Sequence, residues 1–143
     1  MSYRVTSTRR TGNESRAYTW PALIVGIVLI LAGIGIVVYW VNYWLSGNMP
    51  DGLWTLANNQ YVVYHQAAEG VMAILAIAGG FGLLLGRGWG MATSLAALGA
   101  LLYTGINSLS FSFTTAPALT PVFLGVLGFS LLGFIALHFS RRS

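Results

Sequence analysis

A histidine and a glutamate stand four residues apart in "YHQAAEG", residues 64–70, at the head of an apolar run that continues "VMAILAIAGGFGLLLG" to Gly86. On a helix this spacing places His65 and Glu69 one turn apart on one face. An imidazole and a carboxyl so placed either share a proton or leave the acid neutral, free to donate to a partner such as Asn107. Tyr61 extends the same face by a turn. Tyr103 and Asn107 repeat the four-residue spacing, as do Thr104 and Ser108. The candidate ligand-binding set is therefore His65, Glu69, Tyr103, Asn107, Tyr61 and Thr104. Such a set could bind the polar head of a lipophilic molecule or exchange protons with a quinone carbonyl or hydroxyl.

Other chemistries do not fit these residues. There is no cysteine, which removes disulfide exchange, cysteine-ligated clusters and thiolate zinc. One histidine and one acid are too few for a metal site, so no metal is assigned. Bis-histidine haem fails because His65 and His138 belong near opposite ends of their helices; ligation of a haem or chlorin by His65 alone stays open. Ser108 and Ser110 lack any nucleophile motif, and no catalytic residue is assigned. Proton transport would need a relay through the inner half, where Ser94 and Ser130 are almost the only polar residues.

The surrounding composition explains why the pair stands out. Of 143 residues, 56% are hydrophobic and 7% charged, against roughly 25% charged in soluble domains. The class is an all-α, polytopic membrane protein. A hydrocarbon core about 30 Å thick needs about 20 apolar residues as helix. Four segments qualify, at about 21–44, 61–85, 89–109 and 119–139. They form one membrane domain, residues 20–140, between a basic tail (1–19) and a short end (141–143). The continuous apolar runs argue against strands.

The seven arginines decide orientation. Arg4, Arg9, Arg10 and Arg16 precede the first span, Arg87 lies between the second and third, and Arg141 and Arg142 follow the fourth. All fall on one side, which the positive-inside rule makes cytoplasmic: N-in and C-in. The net charge of +4 is thus topogenic, and no nucleic-acid partner is implied. Tyr18 and Trp20 mark the inner edge of the first span; Tyr39, Trp40, Tyr43 and Trp44 mark the outer edge as interfacial anchors. The stretch "PDGLWTLANN" beyond them is read as a loop or an interfacial helix.

An ionised acid inside a membrane costs several kcal/mol by insertion scales, so Glu69 should face the bundle interior with partners. With 1.5 Å rise per residue it lies about 12 Å below Tyr61, in the outer half. A tight turn at Arg87 would bring Tyr103 to the level of Glu69 and Asn107 to that of His65, giving a polar pocket opening outward. Singly, Tyr103, Thr104 and Asn107 could equally be interhelical hydrogen-bond glue, worth about 0.6 kcal/mol per contact. Small residues at Ala22/Gly26, Ala76/Gly80, Ala92/Ala96 and Gly125/Gly133 are expected to let helices approach closely.

The segment from Glu69 to Ala100, "EGVMAILAIAGGFGLLLGRGWGMATSLAALGA", resembles the middle of DoxX-like membrane proteins. The matching positions are Glu69, Gly79, Gly80, Gly82, Leu83, Leu84, Leu85, Gly86 and Arg87. The resemblance implies a four-span fold, with family links to quinone-coupled sulfur oxidation or accessory membrane roles. The sequence is thus read as a small four-helix bundle of a prokaryotic cytoplasmic (inner) membrane. It would be a non-catalytic accessory subunit or binder of a lipophilic ligand, with partners in the bilayer, other membrane subunits or a second copy. The alternative is a redox-linked component in which quinone is the one cofactor and the His65–Glu69 pair exchanges its protons.

Overall fold

The computed structural model describes residues 19–48, 56–115 and 117–140, with the side chains of 47, 48, 56–63, 111, 114 and 115 set aside. Residues 1–18 of the basic tail, Asp51, Arg141 and Arg142 lie outside the described residues, as does the side chain of Tyr61. Four helices follow in order: α1 (Trp20–Tyr43), α2 (Leu56–Leu84), α3 (Gly88–Thr115) and α4 (Thr120–Ser140). Each is long and apolar enough to cross a membrane.

Helix ends follow local chemistry. Pro21 occupies the first turn of α1, where its missing N–H has no intrahelical partner to lose. At its far end α1 widens into a π-helical turn, Trp44–Asn48. Between α2 and α3, Gly86 adopts φ 63°, while its N–H donates to Leu83 O at 3.1 Å and that of Arg87 to Gly82 O at 2.8 Å. This is a Schellman turn, with glycine where an L side chain would be strained. The helix α2 begins five residues before the expected span, and α3 runs six beyond its own. Counting apolar residues alone misses the polar turns "LANNQ" and "SFSFTT", which continue the helices.

Neighbouring helices pack antiparallel, in the ring α1–α2–α3–α4 closed by a lighter α4–α1 contact. At the closing seam Thr19 Oγ1 and Ser140 Oγ share a hydrogen bond of 2.5 Å. The start of α1, the end of α4 and the Arg87 turn therefore share one end of the bundle. The core holds Ala22, Val25 and Leu29 of α1, Met72, Ala76 and Leu83 of α2, Ala97, Leu98 and Leu101 of α3, and Leu137 of α4.

Glycine sets the helix spacing. A methyl added at Gly80 would fall within 3 Å of Gly26 O and of Ile30, and one at Gly33 within 3 Å of Ile77 and Ala73 O. The expected small pairs Ala22/Gly26 and Ala76/Gly80 thus lie at the α1–α2 contact. Ala92 and Ala96 are exposed instead, and Gly125 has nothing within 4 Å of an added methyl, although Gly133 receives Leu98. The face of α3 that packs carries Gly90, Ser94 and Leu98, two residues out of phase with the alanine pair.

Candidate functional site

Glu69 is buried, and both of its carboxyl oxygens are engaged. Oε1 lies 3.1 Å from His65 Nε2, one turn earlier on α2. Oε2 accepts the indole N–H of Trp40, on α1, at 2.5 Å. Trp40 also stands edge-to-face with His65, ring centroids 6.3 Å apart, and with Tyr43 at 5.4 Å. The cluster thus joins two helices around one carboxyl. Hydrogen bonds to a carboxyl in a site of low dielectric are electrostatically strong, and leaving one unmade is correspondingly costly.

The α1–α2 packing fixes this geometry. Along α2, Glu69, Ala73, Ala76 and Gly80 share the stripe that meets α1, and Gly33 and Gly26 receive it from the other side. On α1, Gly26, Gly33 and Trp40 recur every seven residues, which keeps them on one face. The two glycines bring the helices together, and Trp40 closes the stripe at the level of Glu69. The π-helical turn lies directly beyond: the backbone N–H of Trp44 reaches both Trp40 O and Val41 O. Such turns recur beside functional sites.

The cluster is closed on the side of α1 and open at His65, whose side chain is 23% exposed against 12% for Glu69. Beside it, the amide nitrogen of Gln66 is buried with no hydrogen-bond partner among the described residues. A buried donor left unpaired costs roughly 1–3 kcal/mol, so an acceptor at that position would be favourable.

The residues of α3 are placed differently from the sequence expectation. Tyr103 is 73% exposed and faces away from the bundle. Asn107 and Thr104 are half-buried, while Ser108 is buried. The contacts described at the Glu69 carboxyl come from His65 and Trp40. The physical reason is rotation: α2 meets α3 through Gly79 and Gly82, which touch Ser94 and Gly90, so the Glu69 stripe looks toward α1. Glu69 is thus paired with the first helix, a contact the sequence expectation did not include. Trp40, read from the sequence as an interfacial anchor alone, belongs to the site. Its seven-residue spacing from Gly33 and Gly26 was the available signal.

Among the described residues, no group of three or more potential metal-binding side chains comes together. His138 stands in the last turn of α4, at the end of the bundle opposite to His65. The described arrangement can accept or donate a proton at His65 and Glu69, and can hydrogen-bond a polar group approaching past His65.

The family model described as "Domain of unknown function (DUF8058)" matches residues 22–141. The match takes in nearly all of the four helices, and the chain belongs to this family. Neither characterised proteins nor solved structures give a significant match.

Proposed function

We propose that this member of the DUF8058 family is a multi-pass protein of a prokaryotic cytoplasmic membrane, with both termini inside, that binds a lipophilic ligand by its polar head. The head would sit against His65 and Gln66 in the outer half of the bundle. Glu69, oriented by Trp40, would hold the imidazole. The protein would act without catalysis, alone or as an accessory subunit of a membrane complex. One observation carries this reading: a buried carboxyl gripped from two helices, beside a partly exposed imidazole and a buried amide nitrogen that has no partner among the described residues.

The four apolar helices support the membrane assignment. The shared end of the Arg87 turn, the α1 start and the α4 end supports the orientation, because in the sequence the other six arginines precede α1 or follow α4. The donor chemistry favours a carbonyl or hydroxyl as the ligand's head. Asn107 and Thr104 would line the approach without touching the carboxyl; Tyr103 faces elsewhere. The DoxX-like resemblance of residues 69–100 agrees with the four-span fold.

A second reading rests on the 3.1 Å His65–Glu69 contact. A pair at that distance can pass a proton, so His65 and Glu69 would be the proton partners of a bound quinone whose two electrons come from, or go to, a separate redox protein.

The test is mass spectrometry of lipophiles that co-purify with the tagged protein from its native membrane in mild detergent. The proposal expects one species near stoichiometry, depleted in Glu69→Gln and His65→Ala. A lipophile retained equally in both variants, or partner proteins with no small molecule, would overturn it.

A further inference from the structure

A trough of about 350 Å³, lined by Leu95, Phe134, Ile135, His138 and Phe139, lies along the α3–α4 contact. It exists because α3 offers little bulk here. Ala92 and Gly99 share the face of Leu95, the one exposed and the other half-buried. A methyl added at Gly99 would meet only the Phe134 ring, at 3.9 Å. Unlike the other lining residues, His138 carries a polar group. Its imidazole stands edge-on to Phe139 at 5.7 Å, in the last turn of α4. The trough is therefore apolar along its length and ends at a hydrogen-bond donor.

Charge identifies what fits it. In the sequence Arg141 and Arg142 follow α4 directly, four arginines and Glu14 precede α1, and Arg87 lies in the turn at the same end of the bundle. Juxtamembrane positive charge of this kind attracts anionic lipid. We propose that the trough binds one anionic phospholipid, with an acyl chain along Leu95, Phe134 and Ile135 and a phosphate oxygen accepting from the His138 imidazole. The site is separate from the Glu69 cluster, which lies toward the other end of the bundle. It rests on the membrane reading, not on the ligand proposed there.

Native mass spectrometry of the full chain in detergent, titrated with phosphatidylglycerol and with phosphatidylcholine of the same acyl chains, tests this. The wild type should hold one phosphatidylglycerol about fivefold more tightly than phosphatidylcholine, whose choline ammonium offsets the attraction to the flanking arginines. His138→Ala should weaken both lipids about tenfold, the scale of one charge-assisted hydrogen bond, because both carry the phosphate that accepts from the imidazole. His138→Gln, which keeps an N–H donor, should restore part of the affinity. Ala92→Phe, on the face of α3 that carries Leu95, should weaken both lipids, and Leu124→Ala, distant on α4, should change neither. Equal binding of the two lipids by the wild type would overturn the proposal. So would unchanged affinity for both lipids in a folded His138→Ala. Extraction of the chain from the membrane fraction by carbonate would instead refute the membrane reading itself.

Discussion

The indole N–H of Trp40 donates to Glu69 Oε2 at 2.5 Å across the α1–α2 contact, tying the C-terminal part of the first helix to the acid of the second. Trp40→Phe leaves a buried carboxyl oxygen without its donor, at a cost of roughly 1–3 kcal/mol. A double-mutant cycle with Glu69→Gln should show coupling of about 1 kcal/mol, within the range known for intramembrane hydrogen bonds. Thermal unfolding of the four proteins in one detergent measures it; strictly additive losses would mean that the two side chains do not interact.

Helix spacing beneath the site depends on Gly80. Gly80→Val has no room against Gly26 O and Ile30, and overpacking should cost about 1–3 kcal/mol while disturbing the Trp40–Glu69 contact above. Gly125→Val, which adds bulk where nothing lies within 4 Å, should stay within about 0.5 kcal/mol. Equal losses from the two would contradict the packing described.

Tyr103 provides a negative prediction. Its ring is exposed on the outward face of α3, so Tyr103→Phe should shift stability by no more than about 0.5 kcal/mol. Ligand retention should be unchanged. Loss of ligand in this variant would place the hydroxyl in the site after all.

Orientation can be read directly because the chain has no cysteine. Single cysteines at Ser46 and Gly88, both exposed and at opposite ends of the bundle, should react with a membrane-impermeant maleimide from opposite sides. Ser46→Cys should label in intact cells and Gly88→Cys only after lysis. The reverse pattern would invert the proposed topology.

Much of this architecture was legible in composition and spacing. Continuous apolar runs gave the four helices to within a few residues, since length against bilayer thickness is a strong constraint. Helix ends escaped where polar residues such as Asn58 and Ser112 continue a helix that apolar counting ends. The His65–Glu69 contact followed from four-residue spacing alone. Its partner did not. A tight turn makes the α2–α3 hairpin obvious, but rotation about α2 is set by glycines at several positions, and these turn Glu69 toward α1. Trp40 was hidden because tryptophan near a span's end reads as an anchor, and one aromatic can be both anchor and donor.

The most direct measurement follows the indole N–H resonance of Trp40 by NMR in detergent while lipophiles extracted from the native membrane are added. The account predicts a distinct, saturable shift in the wild type, because a ligand arriving at His65 alters the acid that Trp40 holds, and no such shift in Glu69→Gln. A Trp40 resonance that ignores every fraction of the extract, in a folded wild-type protein freed of bound lipophile, would contradict a ligand site at this cluster.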